Sequence, residues 1–358
     1  MTFAASAAPA VPFILIAFVL AALVALVATP LIRRLVHDLA ILDHPDSRKK
    51  HGSPTARGGG VAVAIAFLVV GGGLVLFRDS IAGMPVLRGV TLMNLVGLFG
   101  GAVLAVVIGA LDDRFDLRAR WQFLGQLALA GLAVVSGIVI EDVGNPFGPR
   151  NIDFPTAVGI AFTVVWIIGM INSLNFIDGL DGLSTGIALI AAVVLGLLSL
   201  TVPVNQPLVA VLCFALAGGL LGFLRWNFHP ASIFQGTAGV MFMGYALAVL
   251  SILGSAKVVV ALLVLAVPII DTFWVIVRRL SAGRSPFSPD RGHIHHRLLD
   301  LGLSHRSTVL LIYLTCATLG LMSLLVSNAT GVFAFLGALV VFGVVAFALA
   351  RDRSGALP

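Results

Sequence analysis

The sequence predicts an all-α, polytopic integral membrane protein, and three observations lead to this class. Of the 358 residues, 59% are hydrophobic and only 11% are charged, whereas soluble domains carry roughly 25% charged residues. The mean hydropathy is +1.09. Apolar runs of roughly twenty residues, long enough to cross a hydrocarbon core about 30 Å thick, recur along the whole chain. A water-soluble enzyme, a disordered chain and a nucleic-acid-binding domain are therefore excluded.

Apolar runs separated by glycine, proline and charged residues predict about eleven membrane-spanning helices. They cover residues 10–32, 58–77, 90–111, 122–140, 156–173, 183–202, 207–224, 238–254, 257–277, 308–327 and 332–350. Because the runs are continuous rather than alternating, a β-barrel is not expected. The first run follows no basic residue, so we expect it to remain as a helix rather than to be cleaved as a signal peptide. No second domain is indicated, and residues 1–358 are expected to form one membrane-embedded domain.

The basic residues predict the orientation. With the N-terminus outside, eighteen Lys and Arg residues lie in inner loops and four lie outside: Arg78, Arg88, Arg150 and Lys257. Since Lys and Arg favour the cytoplasmic side, we expect this orientation. It also places all eight histidines on the inner side. The chemistry is therefore expected at the cytoplasmic face.

The first inner loop combines cationic side chains with a run of glycines. Lys49, Lys50, His51 and Arg57 precede or adjoin the glycines at 58–60, where a helix is predicted to begin. Cations beside the free N–H groups of a helix start suit a phosphate. The loop is thus a candidate phosphate-binding segment, and a basic anchor loop is the alternative.

Three aspartates crowd the end of the third predicted helix. Asp112 and Asp116 are i,i+4 neighbours, and Asp113 and Asp116 are i,i+3 neighbours. Like charges at these spacings repel each other, and they are costly at a membrane edge. A divalent cation would neutralise them, and Mg²⁺ prefers such oxygen ligands. The alternative is a solvated loop whose nearby arginines pair with the acids: Arg114, Arg118 and Arg120.

Polar residues recur every three positions at the end of the fifth predicted helix. They are Asn172, Asn175 and Asp178, and they would share one helical stripe. Gly179 and Gly182 then break the helix and allow a backbone to approach a ligand closely. Such residues are expensive at the end of an apolar span without a polar partner, so we interpret them as site residues. A polar turn is the alternative.

The longest inner loop carries Arg291 and three closely spaced histidines: His293, His295 and His296. A zinc site is less favoured, because structural zinc sites usually add cysteine or wider spacing. With arginines nearby, an anion site or a proton-transfer group fits better. An exposed loop without a role is the alternative.

Together these segments resemble the polyprenyl-phosphate N-acetylhexosamine-1-phosphate transferases, to which the phospho-MurNAc-pentapeptide transferase is related. The likeness extends from Arg33 to Ser307 and includes the family's eleven helices. Four motifs carry it in the family's order: Arg48-Lys-Lys-His51 with Pro54 to Gly59, Asp112-Asp113-x-x-Asp116, Asn172-x-x-Asn175-x-x-Asp178-Gly-x-Asp181-Gly, and His293-Ile-His295-His296. The last motif is similar to that of the GlcNAc-1-phosphate branch.

The resemblance implies an enzyme of the bacterial inner membrane that transfers a HexNAc-1-phosphate, and GlcNAc-1-phosphate is the group we expect. The donor would be a UDP-HexNAc, the acceptor undecaprenyl or decaprenyl phosphate, and the product UMP. The implied cofactor is Mg²⁺, with Mn²⁺ as an alternative. A homodimer is left open.

The resemblance also implies residue roles. Catalytic roles fall on Asp112, Asp113, Asp178, His293, His295 and His296. Substrate binding falls on Lys49, Lys50, His51, Arg57, Arg120, Asn172, Gly179, Leu180, Asp181, Phe234 and Arg291. Metal binding falls on Asp112, Asp113, Asn175, Asp178 and Thr237.

One segment departs from the family's pattern. Members usually carry a metal-binding aspartate where this chain has Thr237, and a serine where it has Val240. A threonine hydroxyl can ligate Mg²⁺ but brings no negative charge. We expect Asp112, Asp113 or Asp178 to take over metal binding, and a low-activity homologue is the alternative.

Two other functions are alternatives: the phospho-MurNAc-pentapeptide transferase and a transporter for anionic solutes. A transporter would place ionisable residues and broken helices at mid-membrane, whereas the acids here lie at helix ends on one side. Asp271 is the exception. It lies about two turns from Arg278, and we expect the two to form a structural pair near the inner surface; a proton relay is the alternative.

Overall fold

The computed structural model describes residues 2–43, 54–85, 88–143, 145, 151–253, 257–281, 283, 293–325, 337 and 341. Over these residues the chain is a bundle of α-helices. The helices are α1 (Ala7–Asp38), α2 (Gly60–Ala66), α3 (Gly72–Leu76), α4 (Leu92–Phe115), α5 (Ala119–Val135), α6 (Thr156–Ile177), α7 (Leu183–Ser199), α8 (Pro207–Asn227), α9 (Gly236–Ile252), α10 (Lys257–Val264), α11 (Ala266–Ser281), α12 (Ile294–Asp300) and α13 (His305–Leu325). A π-helical turn, Phe67–Gly71, joins α2 to α3.

Five of the described helices are long and apolar enough to cross a membrane: α1, α4, α6, α8 and α13. Four shorter apolar segments correspond to further predicted runs: Gly60–Leu76, Ala119–Val135, Leu183–Ser199 and Gly236–Ile252. The ninth predicted run is broken at Leu265 into α10 and α11. Pro268 lies in the first turn of α11, where its missing N–H is tolerated. The eleventh run, 332–350, lies outside the described residues except for positions 337 and 341.

Two small β-sheets were not predicted, because strands of two or three residues leave no alternating pattern in a sequence. In one sheet the order is β1 (Leu42–Asp43), β2 (Thr55–Arg57), β5 (Ile233–Phe234). Strand β2 runs antiparallel to β1 and parallel to β5. The other sheet pairs β3 (Asp142–Val143) with β4 (Ile152–Asp153).

Helix α9 is the centre of the bundle, since its residues from Gly236 to Ser251 are all buried. It packs against α2, α4 and α6. The contacts are backbone on backbone: a Cβ added at Gly60 of α2 would lie 2.0 Å from the Cα of Gly239, and one added at Gly109 of α4 would lie 2.3 Å from the Cα of Ala238. These glycines allow α2 and α4 to approach the first turn of α9 closely.

Helices α1 and α8 form another close pair. A Cβ added at Gly218 would lie 2.1 Å from the carbonyl oxygen of Phe18, and one added at Gly222 would lie 2.2 Å from that of Ala22. The opposite face of α1 exposes large apolar side chains such as Leu15, Val19 and Leu23. An exposed apolar face of this kind suits a lipid environment.

Candidate active site

The first residues of α9 are held by the glycine run that follows Arg57. The N–H groups of Gly58 and Gly59 donate to the carbonyl of Phe234 at 3.1 and 2.8 Å, and that of Gly60 donates to the carbonyl of Gln235 at 2.9 Å. Arg57 and Phe234 are register partners in β2 and β5. Residues 57–60 and the start of α9 are therefore joined into one unit by backbone hydrogen bonds.

Asp113, near the end of α4, is fastened to this unit. One carboxylate oxygen accepts from the backbone N–H of Thr237 at 2.8 Å and pairs with Nε of Arg57 at 2.8 Å. The other oxygen accepts from the N–H of Ala238 at 3.1 Å. Gly236 has φ +70°, and a Cβ there would lie 2.4 Å from the carboxylate. Asp113 thus caps the first turn of α9, where the helix dipole favours negative charge.

Asp112 and Thr237 meet at the same place. Oδ2 of Asp112 accepts from the Thr237 hydroxyl at 2.6 Å, and that hydroxyl accepts from Arg57 at 2.9 Å. Oδ1 of Asp112 accepts from Gln122 at 2.8 Å and from the N–H of Leu117 at 3.1 Å. Both Asp112 and Asp113 have side chains only 2% exposed. Arg57 offsets one of their two charges, so the cluster is still anionic.

Asp178 directly follows α6 and reaches the start of α9 through a second hydrogen-bonded chain. Its carboxylate accepts from Ser184 at 2.6 Å, and Ser184 accepts from Gln235 at 2.6 Å. The neighbouring Thr185 hydroxyl donates to the side-chain oxygen Oε1 of Gln235 at 3.0 Å. Burial raises the pKa of Asp178 to about 7 and outweighs the opposing hydrogen bonds and the charge of Arg57. Its negative charge is therefore poorly compensated, although neutral donors surround it.

The histidines of α12 lie against the loop after Asp178. A Cβ added at Gly179 would lie 2.3 Å from Nε2 of His295, whose side chain is 1% exposed. The ring of His295 stacks on that of His293 with a centroid distance of 5.6 Å and lies 4.3 Å from that of His296. Burial, together with neighbouring histidines, holds the pKa of His295 well below its usual value. His295 is therefore neutral at pH 7.

Replacing Gly179 by alanine should lower activity by about tenfold or more, because the new methyl group displaces His295 from the loop that follows Asp178. Steady-state rates and thermal midpoints measure the effect. Gly169→Ala on α6 is the matched control, since no described atom lies within 4 Å of a Cβ there. Equal rates for both variants would contradict the expected role of this contact.

Asp181 forms a neighbouring cluster. Its carboxylate accepts from the N–H of Ala231 at 3.1 Å and lies 2.7 Å from Nδ1 of His229. The ring of His229 stacks on that of His305 at 4.0 Å, with the planes 18° apart. The three side chains are close enough to share a metal ion. The nitrogen lone pair of a histidine lies in its ring plane, so two nearly parallel stacked rings cannot both direct a lone pair at one ion. A hydrogen-bonded cluster therefore fits better than a metal centre.

Other predicted site residues lie elsewhere or are engaged differently. The Asn172 amide donates to Gln126 at 2.7 Å and to the carbonyl of Ile168 at 2.8 Å. Arg120 is exposed, with its guanidinium 5.4 Å from the Trp121 ring centroid. The remaining predicted residues are a buried Leu180, a half-buried Phe234 and Asn175, whose carbonyl accepts from the N–H of Asp178. Lys49, Lys50, His51 and Arg291 lie outside the described residues.

Several residues that build the site were missed. Gln122, Ser184 and Gln235 each contact one of the predicted aspartates directly or through one side chain. Each is a polar residue next to an apolar helix end, and Ser184 and Gln235 are at most 1% exposed. Polarity at such positions was the available signal, because a buried polar group needs a partner.

Fold and site together define an α-helical membrane protein with an acidic polar site at one end of its bundle. The chain is 34% identical over 323 residues to a probable undecaprenyl-phosphate N-acetylglucosaminyl 1-phosphate transferase of Bacillus subtilis, covering 88% of this chain and 86% of the relative. A family model of glycosyl transferase family 4 matches residues 95–255. The chain belongs to this family, and within it to the GlcNAc-1-phosphate transferases.

Two further relatives come from other bacteria. The decaprenyl-phosphate N-acetylglucosaminephosphotransferase of Mycobacterium tuberculosis H37Rv is 36% identical over 362 residues, which cover 90% of this chain and 86% of the relative. The undecaprenyl-phosphate alpha-N-acetylglucosaminyl 1-phosphate transferase of Escherichia coli K12 is 28% identical over 305 residues, which cover 82% and 78%. The similarity thus extends over most of each chain.

Proposed function

We propose that this protein transfers GlcNAc-1-phosphate from UDP-GlcNAc to undecaprenyl or decaprenyl phosphate and releases UMP. The names of the relatives support the sugar and the class of acceptor. The observation that carries the proposal is the convergence of Asp112, Asp113 and Asp178 on the first residues of α9. The product would be the first lipid-linked intermediate of a cell-envelope polysaccharide.

The reaction exchanges one phosphoanhydride partner for another. An oxygen of the lipid phosphate forms a bond to the β-phosphorus of the donor, and the bond from that phosphorus to the bridging oxygen breaks. UMP leaves with the electron pair. Because nucleophile and electrophile are both anionic, the barrier is largely electrostatic. Arg57, 30% exposed beside the carboxylates, can offset charge on the phosphates. Buried, neutral His295 can accept a proton or donate an N–H hydrogen bond.

The donor set fits a hard divalent cation, Mg²⁺ or Mn²⁺. Asp178 would supply a carboxylate that is buried and whose charge is poorly compensated. Asn175, three residues earlier in the chain, and Asp112, beside the start of α9, would supply further oxygens. Asp113 is less available, since three protein donors already hold it. The Thr237 hydroxyl is shared between Asp112 and Arg57. A bound ion would neutralise phosphate charge as it develops.

Thr237→Asp should lower the half-saturating Mg²⁺ concentration by about tenfold or more, which corresponds to roughly 1.4 kcal/mol. The new carboxylate would lie beside Asp112, and two adjacent negative charges favour a cation between them. Titrating Mg²⁺ against UMP release measures the effect. Thr237→Asn, which adds a similar volume without charge, is the matched control. Equal Mg²⁺ dependence in the two variants would show that Thr237 is not at the metal.

The proposed setting is the bacterial inner membrane, with about eleven spans, the N-terminus outside and the site at the cytoplasmic face. The excess of Lys and Arg on one set of loops supports this orientation. The site lies where α4 and α6 end and where α7 and α9 begin, which suits a soluble nucleotide meeting a lipid phosphate at the membrane surface.

The test is an assay of the purified protein in lipid nanodiscs with radiolabelled UDP-GlcNAc and undecaprenyl phosphate. We expect label to enter the organic phase with an equal amount of UMP, and both products to need a divalent cation. UDP-GalNAc and UDP-MurNAc-pentapeptide serve as competing donors. Product from UDP-MurNAc-pentapeptide alone would overturn the assigned sugar, and no UMP from any donor would overturn the activity.

A further inference from the structure

Asp271 is a buried carboxylate that the mechanism above does not use. It lies on α11 and is 1% exposed, and the sequence predicts a pair with Arg278. In the structure its Oδ2 lies 2.7 Å from Nδ1 of His293, and its Oδ1 accepts from the backbone N–H of Ile294 at 2.8 Å. Both partners are at the start of α12. One carboxylate thus fastens α11 to the first residues of α12.

The contact with Asp271 determines which nitrogen of His293 carries hydrogen. A carboxylate oxygen can only accept, so Nδ1 of His293 must carry a hydrogen. In the neutral form of the ring, Nε2 then presents a lone pair. Hydrogen bonds from a second residue commonly select a histidine tautomer in this way. The ring atom left for a substrate is therefore Nε2.

The same contact places His293 beside the acidic site. The His293 ring lies 6.0 Å from that of Phe176, which is two residues before Asp178, and it stacks on His295. His295 in turn touches Gly179. A continuous set of contacts therefore leads from Asp271 through the histidines to the Asp178 loop.

We propose that Asp271 is a positioning residue for the phosphotransfer: it holds His293 in the Nδ1–H tautomer and sets α12 against the loop after Asp178. The inference rests on the proposed function for its kinetic consequence. Its structural part, the tautomer of His293, is independent of the reaction.

Asp271→Asn tests the proposal with the smallest change of shape. The asparagine oxygen can keep the bond from the N–H of Ile294, which leaves its NH₂ group facing Nδ1 of His293. Nδ1 must then accept, and the ring proton moves to Nε2. We expect kcat to fall by about a hundredfold or more, as for loss of a general acid–base group. The KM for UDP-GlcNAc and the thermal midpoint should change little.

Nitrogen NMR of ¹⁵N-histidine-labelled protein reads the tautomer directly, with His293→Asn to assign the signal. Thr272→Val is the matched control: Thr272 is the adjacent buried residue, and its hydroxyl has no hydrogen-bond partner among the described residues. It should keep the Nδ1–H signal and wild-type rates. A variant Asp271→Asn that retains the Nδ1–H signal, or that retains wild-type kcat, would overturn the proposal.

A second variant covers failure of Asp271→Asn to fold. His293→Asn can still donate to Asp271 but has no atom at the Nε2 position. We expect it to keep the wild-type thermal midpoint and to lose activity, whereas full activity would show that the pair is only structural. Absence of UMP release from the wild type would instead refute the proposed function, and the tautomer signals would still decide the role of Asp271.

Discussion

Replacing Asp178 by asparagine is expected to lower the rate of UMP release by about a thousandfold or more, because the variant loses the least compensated negative charge of the site and with it the main candidate ligand for a cation. Radiolabelled product formation at saturating Mg²⁺ measures the loss. Asp38→Asn is the control, since Asp38 is an exposed carboxylate at the end of α1 and its change should leave the rate within about threefold.

The same substitution should not destabilise the metal-free protein. Burial raises the pKa of Asp178 from 3.8 to about 7, so the folded state binds this proton more tightly than the unfolded state. The stability that the protonated carboxyl contributes is present below pH 4 and is lost as the pH rises to about 7. Asparagine is neutral throughout. In EDTA, the thermal midpoint of Asp178→Asn minus that of the wild type should therefore increase as the pH rises from 4 to 7. A thermal midpoint of Asp178→Asn below that of the wild type at pH 8 would contradict this explanation.

Gly109→Ala is expected to lower both stability and activity. The added methyl group would lie 2.3 Å from the Cα of Ala238 and 2.5 Å from its nitrogen, so α4 and α9 must separate. The bonds from Thr237 and Ala238 to Asp113 would then lengthen. We expect a stability loss of about 1–3 kcal/mol, as for overpacking, and a rate loss of about a hundredfold, as for a misplacement near 1 Å.

Gly100→Ala on the same helix separates this effect from a change in helix propensity. No described atom lies within 4 Å of a Cβ at Gly100, so the alanine should leave the rate unchanged and the thermal midpoint equal or slightly higher. If both variants behave alike in thermal unfolding and turnover, the close crossing of α4 and α9 does not control the site.

Hydropathy correctly predicted the five described helices that are long and apolar enough to cross a membrane, because lipid requires each span to satisfy its own backbone. The runs at 90–111 and 156–173 correspond to α4 and α6, which extend beyond them to Phe115 and Ile177. The extensions include Asp112, Asp113 and Asn175, which lie at the candidate site. Hydropathy placed one helix over 257–277, whereas the structure divides it at Leu265, because an apolar run does not reveal a local break.

The acidic residues of the site were predictable from their cost at a membrane edge, but their partners were not. Asp113 and Thr237 are 124 residues apart, and their contact depends on the register between two helices. Asn172 shares a predicted stripe with Asp178, yet it pairs with Gln126. The rotation of a helix about its own axis determines which neighbouring helix each side chain contacts. This rotation depends on tertiary packing.

The contact of α1 with α8 has a consequence for biosynthesis. Phe18 and Gly218 are 200 residues apart, which is roughly 10–40 s of translation at about 5–20 residues per second. During that interval the face of the first helix that later receives Gly218 must remain covered by lipid or by the insertion machinery. Helix α1, the first to enter the bilayer, therefore contacts α8 only after the intervening helices have been synthesised.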